Sequence, residues 1–182
     1  MNNRLVISST IGFMCIGLTL WMLNLGDAGW VSGGDPHGMA MGFGLCSVVL
    51  GVIAILTFFH GRTIDAVIFF GFAGGFWTMN HLRGAGGSGG SEGWFWLVWA
   101  IFFFYVWLSS FKAGWARSLF LLATWIALLA MCLLGWTGMG FFHYIDGYVG
   151  LFAGLVATYI SAAEILNHGC GKVVLQTGSK DS

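Results

Sequence analysis

Six apolar stretches, each close to the length that a helix needs to cross a bilayer, constrain this chain more than any other feature. A spanning helix takes about 20 predominantly apolar residues. Charged residues make up only 8% of the chain, whereas a soluble domain carries roughly 25%. The stretches are 9–25, 39–59, 66–80, 94–111, 118–136 and 142–163. They predict an all-α integral membrane protein in which residues 1–182 form a single six-helix transmembrane domain.

The distribution of basic residues predicts how the helices are oriented. Cytoplasmic loops of membrane proteins carry an excess of Lys and Arg. If the N-terminus is cytoplasmic, Arg83 is the only basic residue outside, and the others lie inside: Arg4, Arg62, Lys112, Arg117, Lys172 and Lys180. We therefore expect a multi-pass protein of the inner or plasma membrane with both termini in the cytoplasm. A net charge of zero gives no reason to expect a nucleic-acid partner.

The sixth stretch carries small residues at steps of three and four, which places them on one face of a helix. They are Gly147, Gly150, Gly154, Ala157, Thr158, Ser161 and Ala162. A flat face of this kind lets a neighbouring helix approach closely, or it leaves room for something to pass beside the helix. The sequence leaves both interpretations open.

The middle of each stretch lacks ionisable residues, which argues against a buried carboxylate relay for protons. The polar groups at depth are hydroxyls: Thr19, Ser47, Thr78, Thr124, Thr158 and Ser161. Each hydroxyl can bond back to its own helix. Alternatively, several converge on a narrow path and replace part of the hydration shell of a small solute.

Polar residues collect at the ends of the third and sixth stretches. A candidate outer mouth consists of Asn80, His81, Arg83, His143 and Asp146, and a candidate inner end of Glu164 and Asn167. Because histidine changes its charge near neutral pH, the outer group is either a pH-sensitive entrance or a set of ordinary interfacial residues.

The chain shows no arrangement typical of an enzyme or a metal site. The four cysteines form no C-x-x-C pair, and no histidines stand at metal-ligand spacing. Ser109 and Ser110 have no histidine nearby in the sequence and no G-x-S-x-G motif surrounds a serine. We expect no enzyme activity, no cofactor and no bound metal.

Several short motifs resemble the acetate uptake transporter family, which includes the bacterial succinate–acetate permeases. They are G-M-A-M-G at 38–42, G-R-T at 61–63, F-W at 76–77, E-I-L-N at 164–167 and G-K-V-V-L at 171–175. The resemblance runs through all six stretches. It implies a pore through each protomer, a ring-shaped homo-oligomer that is a hexamer, and a small monocarboxylate such as acetate, or succinate, as the solute.

The chain departs from that family at two places. The family opens its first segment with Asn-Pro-Ala-Pro-Leu-Gly-Leu, and of the corresponding residues 7–13 only Gly12 matches. The family also narrows its pore with Phe, Tyr and Leu, and alignment places Ile16, Ala73 and Leu122 there. These leave a wider gap, unless Phe72 fills it. The expected solute path is Ile16, Thr19, Ala73, Thr78, Leu122, Ala157 and Thr158.

Two other functions stay open at this point. The run Phe70-Gly71-Phe72, followed by Asn80-His81 and by Trp94, Trp96 and Trp99, resembles the acid-gated urea and short-amide channels. Uncharged hydroxyls at depth suit such a neutral solute. A structural scaffold without a pore is the remaining alternative.

Overall fold

Six α-helices follow one another along the chain in a computed structural model. The structure describes the backbone of residues 3–31, 36–85 and 91–178, and the side chains of 8–31, 42–79 and 92–178. The helices are α1 (Asn3–Asp27), α2 (Pro36–Phe59), α3 (Thr63–Ala85), α4 (Ser91–Ser109), α5 (Trp115–Thr137) and α6 (Gly140–Cys170). A short 3₁₀ turn at Ser110–Lys112 follows α4. Each predicted stretch falls on one of these helices, so the six predicted helices are confirmed, with ends that differ by a few residues.

The helices form a closed ring in chain order. Each helix packs against the next, and α6 returns to α1. The contacts of α1 with α6 and of α2 with α3 are the most extensive, and those of α3 with α4 are the least extensive among these six pairs. The first residues of α1, α3 and α5 lie beside the end of α6, because Ser9, Asp65 and Arg117 all reach Glu164 or its partner residues. We call this the terminal end of the bundle, since α1 begins and α6 ends there.

The outside of the ring is apolar. Leu45, Phe59, Phe70, Val98 and Phe141 are each at least 66% exposed, which suits contact with lipid rather than water. Five of the described helices are long and apolar enough to cross a membrane, whereas the apolar part of α3, Thr63–Met79, is shorter. The chain is an all-helical, multi-pass membrane protein.

The small residues of α6 let α1 approach it closely. A Cβ placed on Gly154 would lie 2.6 Å from Cδ1 of Trp21 and 3.1 Å from the carbonyl oxygen of Gly17, and one placed on Gly17 would lie 2.5 Å from Cγ2 of Thr158. Further along, Ser161 Oγ donates a hydrogen bond of 2.9 Å to the carbonyl oxygen of Thr10. Most of the flat face of α6 therefore serves close helix packing, which is the first of its two interpretations.

Replacement of Gly154 by Leu is expected to force α1 and α6 apart. Overpacking of this kind costs about 1–3 kcal/mol. We expect Gly154→Leu to lower the thermal unfolding temperature in detergent and to broaden the size-exclusion peak. Gly51→Leu on α2 is the matched control, since nothing lies within 4 Å of a Cβ built on Gly51. Equal stability of the two variants would contradict close packing at Gly154.

Candidate functional site: an interior cavity above a phenyl layer

A cavity of about 70 Å³ lies inside the ring, where α3 and α4 pack least closely. All helices except α2 contribute to its wall. Side chains and glycines that line it include Leu20, Leu23, Asn24, Gly71, Phe72, Gly75, Phe76, Met79, Trp96, Trp99, Phe103, Thr124, Ala127, Leu128, Met131, Asp146, Gly150 and Ala153. Since about 10–15 Å³ of such space holds one water molecule, the cavity has room for a solute of a few heavy atoms. Its wall is almost entirely apolar.

Four phenylalanine rings lie between this cavity and the terminal end. Phe13, Phe69, Phe72 and Phe120 are each at most 5% exposed. The ring centroids of Phe13 and Phe69 are 5.2 Å apart, those of Phe13 and Phe120 are 5.9 Å apart, and those of Phe72 and Phe120 are 5.5 Å apart. We call these four residues the phenyl layer. Because Phe72 also lines the cavity, the layer forms the floor of the cavity.

Glycine at position 12 allows the phenyl layer to reach α1. A Cβ built on Gly12 would lie 2.5 to 2.9 Å from three atoms of the Phe69 ring, so any larger residue would displace that ring. Gly12 is also the one residue of 7–13 that matches the family motif. Because it has no side chain, Gly12 allows the Phe69 ring of α3 to lie against the backbone of α1.

Two arginines and two carboxylates form an ionic cluster on the other side of the phenyl layer. Arg117 Nη2 lies 2.8 Å from Glu164 Oε1, and Arg117 Nε lies 3.2 Å from Asp65 Oδ1. Arg62 Nη2 lies 2.7 Å from Asp65 Oδ2 and 3.6 Å from Glu164 Oε1. Ser9 donates a hydrogen bond of 3.0 Å to Glu164. We call Arg62, Asp65, Arg117 and Glu164 the ionic cluster.

The ionic cluster joins α3, α5 and α6, with Arg62 in the turn just before α3, and it carries no net formal charge. Asp65 and Arg117 have side chains that are 5% and 11% exposed, and their mutual pairing offsets the cost of removing charges from water. The guanidinium carbon of Arg117 lies 5.6 Å from the centroid of the Phe13 ring. The cluster therefore sits directly against the phenyl layer.

The sequence predicts Glu164 at the inner end but not this set of partners. The signal that points to it is the presence of two basic and two acidic residues at the same end of the bundle, with Arg62 just before α3 and Asp65 three residues later in its first turn. Their pairing depends on which helices are neighbours, and hydropathy does not give that.

The opposite end of the bundle holds part of the predicted outer mouth. His143 Nε2 lies 3.4 Å from Asp27 Oδ1, which ties the start of α6 to the end of α1. Asp146, one turn further into α6, is 7% exposed and lines the cavity. Asn80, His81 and Arg83 belong to α3, but their side chains lie outside the described residues.

The seven residues of the expected solute path do not line this cavity. Ile16 and Ala157 are fully buried in the core between helices. Thr158 packs against Gly17. Ala73 and Leu122 are half-buried. Phe72, the alternative for the gap at the narrowing, does point into the interior, where it stacks on Phe120. That the seven residues line a conducting path stays a prediction.

The buried hydroxyls mostly bond to their own helices, which is the first of the two interpretations. Thr19, Thr78 and Thr124 donate to the carbonyl oxygens of residues four positions earlier, at 2.7, 2.8 and 3.0 Å. Ser47 and Thr158 donate to carbonyl oxygens three positions earlier. Among the hydroxyls predicted at depth, that of Thr124 belongs to a residue of the cavity wall. The hydroxyl of Ser161 donates to the carbonyl oxygen of Thr10 on α1.

Asn167, the other residue of the predicted inner end, holds the segment that follows α6. Its Nδ2 donates to the carbonyl oxygen of Leu175 at 2.8 Å, and its Oδ1 accepts from the backbone N–H groups of Val174 and Leu175 at 2.7 and 2.9 Å. This fold-back is helped by Gly171, whose φ of +63° lies in the left-handed region. Asn167 therefore has a structural role in this chain.

A solved structure with the same architecture is that of the bacterial acetate channel SatP. The two chains superpose with a TM-score of 0.86 at 18% sequence identity, and the match covers 98% of this chain and 99% of the other. This chain has the SatP fold. A curated relative, an uncharacterized protein of Methanothermobacter thermautotrophicus, is 24% identical over 184 aligned positions, which cover 92% of this chain and 88% of the relative. No protein-family model matches the chain.

Cavity, phenyl layer and ionic cluster follow one another along the ring axis, and α5 passes all three, with Arg117 in the cluster, Phe120 in the layer and Thr124 in the cavity wall. At a rise of about 1.5 Å per residue, these three residues of α5 span roughly 10 Å. The three layers are therefore in direct succession.

Loss of one member of the ionic cluster is expected to destabilise the fold. Removing one partner of a buried ion pair costs about 3–5 kcal/mol, because the other charge is left uncompensated. We expect Arg117→Gln and Glu164→Gln each to lower the unfolding temperature in detergent, and the double variant to lose less than the sum of both. Lys112→Gln, at an exposed position outside the cluster, is the control. Strict additivity would show that the two residues are not coupled.

Proposed function

We propose that this protein is a membrane channel for a small monocarboxylate such as acetate, which passes through the interior of each subunit. The observation that carries this proposal is a cavity enclosed by a ring of helices with the fold of an acetate channel. The cavity is large enough for a solute of a few heavy atoms and too small for a bulky one.

The layered interior supports conduction with a barrier. A solute that enters from the cavity must displace or pass the phenyl layer before it reaches the ionic cluster. Apolar constrictions gate channels because they lose water easily, and four closely packed rings form such a constriction. We propose that the phenyl layer is the main barrier to the solute and that the cavity binds the solute before it passes this barrier.

The same proposal includes membership of the acetate uptake transporter family, the membrane in which the protein lies and its assembly into a ring. The family resemblance supports both membership and a ring-shaped homo-hexamer. The excess of Lys and Arg at the terminal end supports cytoplasmic termini in the inner or plasma membrane. We propose succinate as a second solute only on the family resemblance. The small cavity argues for a shorter acid.

Uptake into proteoliposomes tests the proposed function. Labelled acetate should enter vesicles that contain the protein faster than it enters protein-free vesicles, and labelled urea should not. Urea uptake without acetate uptake would replace this proposal by a urea or short-amide channel. No uptake of either solute would favour a scaffold without a pore.

Filling the cavity is expected to block the channel. Ala127 lines the cavity and is 8% exposed, so Ala127→Leu places three more carbon atoms in it. If the solute has to displace these atoms at a cost of about 1–3 kcal/mol, its passage slows, and we expect acetate uptake to fall about tenfold. The control is Ala162→Leu, because Ala162 is exposed on α6.

The same assay compares the cavity with the path expected from the sequence. Ala73→Phe adds a ring at a half-buried position that does not line the cavity. If Ala73→Phe lowers uptake and Ala127→Leu does not, the solute follows the sequence-predicted path, and the cavity is not on it.

A further inference from the structure

Two thiol groups meet between α1 and α2. Cys15 of α1 and Cys46 of α2 are free cysteines, and both are half-buried. Cys15 Sγ lies 4.0 Å from the carbonyl oxygen of Cys46, and the two thiol groups interact with each other directly. The hydroxyl of Thr19, one turn further along α1, lies 3.0 Å from Cys46 Sγ. Neither cysteine belongs to the described lining of the cavity, so the proposed function leaves this pair of thiols without a role.

The boundary between α1 and α2 separates two parts of the bundle. Helix α2 packs extensively against α3, and α4, α5, α6 and α1 pack extensively on one another in series. The contacts of α1 with α2 and of α3 with α4 are less extensive than any of these. We call α2 and α3 together the α2–α3 hairpin. The hairpin is therefore attached to the other four helices along two weaker boundaries, with the thiols at one and the cavity at the other.

The phenyl layer is shared between these two parts. Phe69 and Phe72 belong to the α2–α3 hairpin, whereas Phe13 and Phe120 belong to α1 and α5. The ring contacts of Phe13 with Phe69 and of Phe72 with Phe120 therefore join the hairpin to the remaining helices. A movement of the hairpin away from α1 separates these rings. Whatever holds the hairpin against α1 keeps the layer closed.

The thiols lie at the depth of the phenyl layer. Cys15 follows Phe13 by two residues, which is about 3 Å along the helix axis. A covalent link between Cys15 and Cys46 would therefore restrain the hairpin close to the level at which the rings of the phenyl layer meet.

We propose that Cys15 and Cys46 are a site of reversible oxidation, at which a small uncharged peroxide converts the two thiols into a disulfide between α1 and α2. The disulfide fixes the α2–α3 hairpin against α1 and slows the passage of the solute through the phenyl layer. In a disulfide the two sulfur atoms are about 2.0 Å apart, and two thiols that already interact reach this distance by rotation of their side chains. The effect on passage rests on the proposed function, whereas formation of the disulfide does not.

The chemistry is a two-electron oxidation. One cysteine sulfur attacks an oxygen atom of hydrogen peroxide, the O–O bond breaks, and a sulfenic acid and one water molecule form. The other sulfur then attacks the sulfenic sulfur, the S–O bond breaks, the S–S bond forms, and a second water molecule leaves. Both thiol hydrogens end in water, and the two electrons lost by the sulfurs reduce the peroxide. Because the thiols, the peroxide, the disulfide and the water are all uncharged, the net reaction leaves no charge buried in an apolar bundle.

The test treats proteoliposomes of the full chain with hydrogen peroxide and measures two quantities. Mass spectrometry of peptides, after the remaining thiols are blocked, reports whether Cys15 and Cys46 are linked. Uptake of labelled acetate is measured before oxidation, after oxidation and after reduction with dithiothreitol, which reverses a disulfide by thiol exchange. Uptake is also measured in Cys170→Ser, because Cys170 is exposed and could otherwise join two copies of the chain.

We expect a peptide pair that joins Cys15 to Cys46 and has lost two hydrogen atoms. Where a conformational step limits the rate, a link that restrains it slows the whole process, and we expect uptake to fall about fivefold and to recover with dithiothreitol. The same changes are expected in Cys170→Ser. The matched control is Cys46→Ala, which cannot form the link and should keep its uptake in the presence of peroxide.

Three results would contradict the proposal. If Cys170 is oxidised and no link between Cys15 and Cys46 forms, the site does not exist. A link that forms without a change in uptake would show that the α2–α3 hairpin need not move. An equal loss of uptake in Cys46→Ala would place the effect of peroxide elsewhere in the chain. Absence of uptake before any oxidation would instead refute the proposed function, and the peptide analysis would still decide whether the disulfide forms.

Discussion

The close approach of α1 and α6 is the contact on which the rest of this structure depends. Because Gly17 and Gly154 have no side chains, the backbones of α1 and α6 lie in close contact at these residues. This contact closes the ring of six helices. In this closed ring, Phe13 of α1 contacts both Phe69 of α3 and Phe120 of α5 in the interior. The hydrogen bond from Ser9 to Glu164 at one end and the contact of Asp27 with His143 at the other then hold α1 against α6 along its length.

The interior consists of three layers that differ in their contacts and polarity. The ionic cluster and the hydrogen bond from Ser9 tie α1, α3, α5 and α6 together where their ends approach water. Mutual pairing of the charges offsets the cost of their partial burial. The phenyl layer separates those charges from the cavity. The cavity, in the region where α3 and α4 pack least closely, leaves a small space inside the ring. A strong barrier and a small site in series are what a selective channel needs, since binding must be weak enough for the solute to leave.

Hydropathy and residue spacing predict the coarse features of this fold, and they do so for physical reasons. Apolar length determines the six helices, and the steps of three and four in α6 indicate the packing face around Gly154. The partners of Glu164 and the wall of the cavity could not be predicted, because both depend on the order of helices around the ring and on how each helix is rotated. Ile16 and Phe13, for example, lie one turn apart on α1, and alignment with a family motif does not tell which of them forms the barrier.

The central claim is that a small monocarboxylate occupies the cavity beside Phe72, above the phenyl layer. Difference density between crystals soaked in acetic acid and crystals kept in acetate-free buffer at the same acidic pH tests this directly. The account predicts new density of a few atoms inside the ring, within the cavity and in contact with the ring of Phe72. Density found only outside the ring, or between α1 and α6 along the row of small residues, would contradict it.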